Sequence, residues 1–323
     1  MAKALKIVIV ERYHAGASLR FPLHITDMTD GPGRQRCLSA EFLLGQDLVT
    51  YSARSVVRDR HWKEKEKWVN PGYVVTDPAK HMYQPTVPEF VRGQKQYRHT
   101  PLMVRTDSVK MLAQVLRERH QQLLWHPIEK NDRPIDVTHL WPRVVEEKSS
   151  VVNPIYGNLR LEISGLVYSI GHKYNWVTEV GIRGGVAKAG RRGVHTAYME
   201  TLLTTKIMVV TQRDTWEDHY RLFEALITGT MVLSDVMLAP PAGIEDGKSV
   251  VFFRNPEELE EKLVYYLNNT DERLSIARKG REVAMTRHRS WHRMEDIVFN
   301  QTLTHCPNSK SESKCPWTIH PEY

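Results

Sequence analysis

Cysteine is scarce in this chain: Cys37, Cys306 and Cys315 are the only ones in 323 residues. Three thiols make no disulfide framework, which argues against a small cross-linked secreted scaffold and favours a reducing, cytoplasmic setting. No apolar run approaches the ~18 residues that span a bilayer. The N-terminus is basic and briefly apolar, but Glu11 and Arg12 interrupt it and no cleavage pattern follows, so residues 5–11 read as a first buried strand. There is no internal repeat, no phosphate loop ending in Gly-Lys-Ser/Thr and no Asp-x-Asp pair anywhere. His305, Cys306, Cys315 and His320 near the end match none of the usual zinc spacings, so no metal site is expected.

What is present is the composition of a globular protein, 41% hydrophobic and 26% charged. The length is too great for one ordinary core and predicts two domains. The polar stretch 126–134, with Pro127 and Pro134, reads as the linker. It separates a domain over 1–127 from one over 134–285, with a crossover helix and tail over 286–323. A formal charge of +7 and a pI near 9.2 suit an anionic partner: nucleic acid, a phosphorylated small molecule or an acidic membrane face.

The most informative stretch is 196–234. It reads as helix, buried strand (207–210), polar loop, helix, Gly229 stop and buried strand (231–233). Short apolar runs without alternation suit parallel strands covered on both faces. Gly229 stands where a left-handed residue ends a helix. Ligands of open α/β sheets bind at such strand-to-helix turns, where free helix amides face a phosphate. Glu224 sits among Leu222, Phe223, Ala225, Leu226 and Ile227, with Arg221 three residues earlier on the same face. It is either a carboxylate on a solvated helix face or one held towards a polar ligand.

The run 221–235, Arg-Leu-Phe-Glu-Ala-Leu-Ile-Thr-Gly-Thr-Met-Val-Leu-Ser-Asp, resembles the donor-site signature of GT-B glycosyltransferases. It is most similar to the spore-maturation-type and exostosin-like group. The likeness continues through the loop 243–248, the strand Val-Val-Phe-Phe, the Asn255-Pro-Glu-Glu helix start and 277–282, and ends near His288, Ser290, Trp291 and Arg293. It implies two Rossmann-like α/β domains with a cleft between them. It also implies transfer of a sugar from a nucleoside-diphosphate sugar, of uridine or guanosine, to a hydroxyl of a glycan or glycoprotein. Glu224 would then hold the ribose hydroxyls, since a carboxylate accepts two hydrogen bonds from a vicinal diol. Retaining members commonly carry a second Glu eight positions earlier; here that position is Trp216 and the nearest carboxylate is Glu217, so the stereochemistry stays open.

Without Asp-x-Asp, the departing diphosphate is expected to meet side chains and helix amides rather than a metal, and no cofactor is expected. Arg143 is the first candidate, Lys148 the second, with Arg221 and the helix start at His219 and Tyr220 beside them. Arg183 opens a glycine-rich basic loop, 183–193, that borders the nucleotide or is a plain surface loop. By resemblance, Tyr198 lies near the base. On the acceptor side His14 is the first choice of general base, with Asp27 and Asp30 as rivals. Residues 83–101 read as a basic loop, 102–104 as a strand and 108–119 as a helix with an apolar stripe. The alternatives are a nucleic-acid-binding protein, for which no aromatic-basic pattern stands out, and a sugar-nucleotide epimerase of the same fold.

Overall fold

The computed structural model describes residues 6–9, 23–27, 49–53, 97–99, 103–119, 121, 127–141, 159–181, 194–212, 220–237 and 240–293. They form two parallel sheets. The first has β1 (Lys6–Ile9), β2 (Leu23–Asp27), β3 (Val49–Ala53) and β4 (Tyr97–His99), in that spatial order. Lys6 pairs with Leu23, Leu23 with Val49 and Tyr51 with Tyr97. One of these strands corrects the sequence reading: Tyr97–His99 is a strand inside the stretch read as a basic loop. It is short, and backbone pairing to β3 decided its conformation. Asp27, one of the rival bases, is the last residue of β2.

The second sheet holds β5 (Ile135–His139), β6 (Thr178–Val180), β7 (Thr205–Val210), β8 (Met231–Asp235) and β9 (Val251–Phe253), in the order β6-β5-β7-β8-β9. All its pairs are parallel. Its helices are α1 (Thr106–Glu118), α2 (Leu159–Lys173), α3 (Thr196–Leu203), α4 (Tyr220–Ile227), α5 (Pro256–Asn268) and α6 (Thr270–Arg287). The α/β class with parallel sheets is the one expected.

The absence of alternation in β7 now has its reason. Ile207 and Val209 enter one core with Ile163, Val167 and Leu263; Met208 and Val210 enter another with Leu112, Met199 and Leu226. A period of two divides the strand between two dry faces, so Ile207 to Val210 are all apolar. Helices α2 and α5 cover the first face, and α1, α3 and α4 the second. Helix α6 serves both, with Ile276 and Ala277 in one core and Val283 to Met285 in the other. Helix α5 starts as its sequence dictates: Asn255 Oδ1 accepts from the Glu258 amide at 2.7 Å, with Pro256 in the first position.

Two segments sit differently from the simplest reading of the sequence. Helix α1, which precedes the supposed linker, packs Val109, Leu112, Val115 and Leu116 against α3 and α4 of the second sheet. The supposed linker is itself built in. Ile128, Glu129 and Arg133 are buried, and Ile128–Lys130 forms a 3-10 turn. The Arg133 guanidinium donates to the carbonyls of Ile128, Leu202, Thr205 and Thr228 and to the Thr230 hydroxyl, at 2.7–3.0 Å. It therefore ties the C-terminal ends of α3 and α4 to the start of β7 and the approach to β8. Burial pushes its pKa down to about 9, with Glu129 pulling the other way, so it remains a cation at neutral pH. Negative helix ends around a cation are favourable.

Gly229 has φ +67°, and a Cβ there would lie 2.9 Å from the Glu129 amide nitrogen. Arg133→Met takes the guanidinium away from five buried acceptors, of which the Ile128 and Leu202 carbonyls keep the Asn131 amide and the Thr230 hydroxyl as donors, and is expected to cost ~3 kcal/mol of stability by urea denaturation. Gly229→Ala meets both a left-handed backbone and a backbone contact, and should cost about 1–3 kcal/mol. Wild-type denaturation midpoints in both variants would count against these roles.

Candidate functional site

In the order β6-β5-β7-β8-β9 the chain leaves β5 towards one side and returns through β7 on the other. The crevice outside the carboxyl ends of β5 and β7 is therefore the topological switch point. β5 delivers His139, Leu140 and Trp141 there, and β7 delivers Thr211 and Gln212.

His139 is 3% exposed. Ser164 Oγ donates to the carbonyls of Arg160 and Trp141, so His139 Nδ1–H must be the donor in its 2.9 Å bond with that hydroxyl. Nε2 then accepts from Thr211 Oγ1 at 3.2 Å. This is the pattern of a neutral imidazole. Burial first, and then the charges of Arg221 and Arg160, push its pKa down to about 3. His139 is thus a buried brace that carries no charge at neutral pH.

Arg160 on α2 and Arg221 on α4 converge on the Trp141 ring, at 4.9 and 5.4 Å from its centroid. Arg160 Nε also donates to the Thr211 carbonyl at 3.3 Å. Two cations and an indole thus stand at the switch point, a combination that suits an anionic ligand. Behind them, Asp235 at the end of β8 accepts from the Gln212 amide at 2.8 Å and ties the carboxyl ends of β7 and β8 together.

Glu224 lies at the same edge, since the N-terminal ends of α3 and α4 follow the carboxyl ends of β6 and β7. It is 2% exposed, not on a solvated helix face. Oε2 accepts from the Tyr198 hydroxyl at 2.6 Å, and Oε1 from Ser108 Oγ at 3.4 Å. Ser108 is in the first turn of α1 and Tyr198 in the first turn of α3, so two helix starts meet at this carboxylate on the middle of α4. Arg105, just before α1, lies over the Tyr220 ring at 5.0 Å.

The segment after α6 closes the group. The Val104 amide donates to the His288 carbonyl at 2.6 Å, and Thr106 and Ser290 share a hydroxyl contact at 3.1 Å. The His288 ring packs against Phe223, donates from Nε2 to the Ala242 carbonyl, and accepts at Nδ1 from Arg293. Burial, then the Arg293 charge, pushes its pKa down to about 3 as well.

Of the residues proposed from sequence, the structure brings Tyr198, Tyr220, Arg221 and Glu224 to this edge. His14, Asp30, Arg143, Lys148, Arg183, Glu217 and His219 lie outside the described residues. Sequence reasoning missed Arg160, Ser108 and Asp235. Arg160 had a signal, a lone cation in an apolar helix start; Ser108 had none, because its partner is 116 positions away. Among the described residues no three His, Cys, Asp or Glu side chains gather as a metal site, and no helix is long and apolar enough to cross a membrane.

Both buried histidines are neutral in the folded chain and titrate near 6.5 when unfolded. Unfolding below that pH takes up their protons. Their contribution to stability is therefore fully present above pH ~6.5 and is lost as pH falls towards 3, at up to about 1.4 kcal/mol per pH unit for each. Urea denaturation from pH 7 to 4.5 should show this slope, and His139→Asn should remove about one proton's share. An unchanged slope in that variant would contradict neutral burial.

A family described as glycosyl transferase-like matches residues 143–298, a little under half of the chain. No curated protein matches. Among solved structures, TarM, also solved from S. aureus with UDP, is 14% identical over 85% of this chain and 53% of its own, with a TM-score of 0.45. This chain thus spans about half the length of that protein. Anabaena Alr3699/HepE with UDP is 10% identical over 86% of this chain and 71% of its own, at 0.44. Sucrose-phosphate synthase of Thermosynechococcus elongatus is 14% identical over the same shares, at 0.45. The matched segment begins after β5 and takes in α2 to α6 with β6 to β9, so the helices that carry Arg160, Tyr198, Arg221 and Glu224 all lie within the segment that is similar to that family.

Proposed function

We propose that this chain is a glycosyltransferase that moves a sugar from a nucleoside-diphosphate sugar to a hydroxyl of a glycan or other acceptor, without a metal. The observation that carries the reading is Glu224: a buried carboxylate on the helix after the switch-point strand, inside the matched segment. A carboxylate so placed suits a ribose diol. Arg160 and Arg221, gathered on Trp141, suit the charge of a diphosphate. Helix amides at the start of α4 add to that charge. Arg143, Lys148 and Arg183 join the donor side in this reading, and His14 serves as acceptor base with Asp30 as its rival. The spore-maturation and exostosin-like subtype, and a uridine or guanosine donor, belong to the same proposal and rest on sequence resemblance.

Calorimetry with UDP, GDP, ADP and CMP, with and without EDTA, tests it on the wild type and on Glu224→Gln and Glu224→Ala. Micromolar binding of one nucleotide that survives EDTA is expected. The affinity should fall about tenfold or more in each variant that keeps a cooperative melt. Undiminished affinity in those variants would remove Glu224 from the site; no binding of any nucleotide would sink the transferase reading and favour a nucleic-acid or scaffold role.

A further inference from the structure

Arg105 lies outside the segment matched by the glycosyl transferase-like family and directly precedes α1. Its backbone is extended, with φ −72° and ψ 142°, and its neighbours are pinned on both sides. The Val104 amide donates to the His288 carbonyl at 2.6 Å, and the Thr106 hydroxyl meets Ser290 Oγ at 3.1 Å. Successive side chains of extended backbone point to opposite sides. With Val104 buried in the core, Arg105 is turned out of it, and its guanidinium lies across the Tyr220 ring, 5.0 Å from the centroid. Nη2 donates to Asp107 Oδ2 at 2.5 Å. Asp107 is its only hydrogen-bond partner among the described residues, so Nε and Nη1 meet no protein acceptor there, and the side chain is 35% exposed.

The place is set by how α1 and α4 run. Arg105 meets Tyr220, the first residue of α4, and further along both helices Ser108 meets Glu224. The two helices therefore start side by side and run in the same sense, and Arg105 stands one turn nearer the start of α4 than Glu224 does. Arg221, the next residue of α4, joins Arg160 on Trp141. Three cations thus stand around one helix start whose own first turn holds no acidic residue.

We propose that Arg105 is a specificity-determining residue: its Nε and Nη1 groups donate to the outer phosphate of a nucleoside diphosphate seated at the start of α4, and so favour the diphosphate over the monophosphate. The role rests on the nucleotide-sugar reading given above. A planar guanidinium fork matches two oxygens of one phosphate, and bonds between ionised partners are the strong ones. The side chain is preorganised: the Tyr220 ring and Asp107 already hold it, so little freedom is lost when a ligand arrives. Asp107 keeps Nη2 and leaves the other donors to the ligand. Its negative charge beside the guanidinium also opposes an incoming anion, so it tempers the affinity that Arg105 supplies.

The test is calorimetry on the full chain at low salt with UDP and UMP, GDP and GMP, and inorganic pyrophosphate. It uses the wild type, Arg105→Gln, Arg105→Lys and Asp107→Asn, with melting curves for each. Arg105→Gln should weaken the diphosphate about fivefold to tenfold and the monophosphate by less than about twofold, and Arg105→Lys should recover part of the loss. Asp107→Asn keeps an oxygen for the Ser108 amide but removes the opposing charge, so it should tighten the diphosphate about twofold. A role in packing alone would weaken both nucleotides by the same factor, and an unchanged ratio in a folded Arg105→Gln would overturn the proposal. Should that variant fail to fold, Asp107→Asn decides: unchanged or weaker diphosphate binding overturns it. If the wild type binds no nucleotide, the functional reading falls and pyrophosphate decides for Arg105: binding that Arg105→Gln weakens keeps it as a phosphate contact, and any other result removes it. Nucleotide binding with no shift in ratio would fell only the role of Arg105.

Discussion

The second sheet is organised around one buried cation. Arg133 enters from a stretch that looks like a connector and places its guanidinium where α3 and α4 end and where the chain turns into β7 and β8. A guanidinium can serve five acceptors at once in a planar fork, which no other side chain does. Carbonyls at helix C-terminal ends carry partial negative charge, so the cation is solvated by the backbone in place of water. Glu129, itself beside Arg278 and Arg281, supplies the nearest opposite charge.

That anchoring has consequences at the opposite edge. The same two helices whose C-terminal ends meet Arg133 carry Tyr198, in the first turn of α3, and Glu224, midway along α4. With the far ends fixed and both faces of β7 packed, these two residues have little freedom to drift apart. Helix α1 adds Ser108 to the same point by packing its apolar stripe against α3 and α4. The site is thus a product of core packing at a distance. A buried carboxylate, a phenol and a hydroxyl come together because the helices that bear them are wedged on one sheet face.

The switch-point crevice follows a different logic. There the chain gathers like charges, Arg160 and Arg221, on a single indole. The neighbouring imidazole of His139 stays neutral because a third positive charge in a buried place would be costly. Neutral His139 braces β5 to α2 and to the end of β7 through two hydroxyls. Structure and electrostatics reinforce one another here: the brace keeps the strand ends in register, and the cations keep the brace uncharged.

Much of this was determined by the sequence itself. Continuous apolar runs predicted parallel strands at β7 and β8, Gly229 predicted the helix stop, Asn255-Pro256 predicted the start of α5, and the setting of Glu224 singled it out. These are local signals, each carried within a few residues of chain by backbone conformation, capping or periodicity. Tertiary structure alone decided the rest. It built the apparent linker into the core, because Arg133 finds acceptors contributed by residues 69 to 97 positions away. It made β4 a strand through pairing with β3. It also turned Tyr198 towards Glu224, and it set Ser108 and Arg160 at the site, through partners that no local pattern encodes. Hydrogen bonds and packing between distant segments depend on where the whole sheet places them, and that is settled only when the core closes.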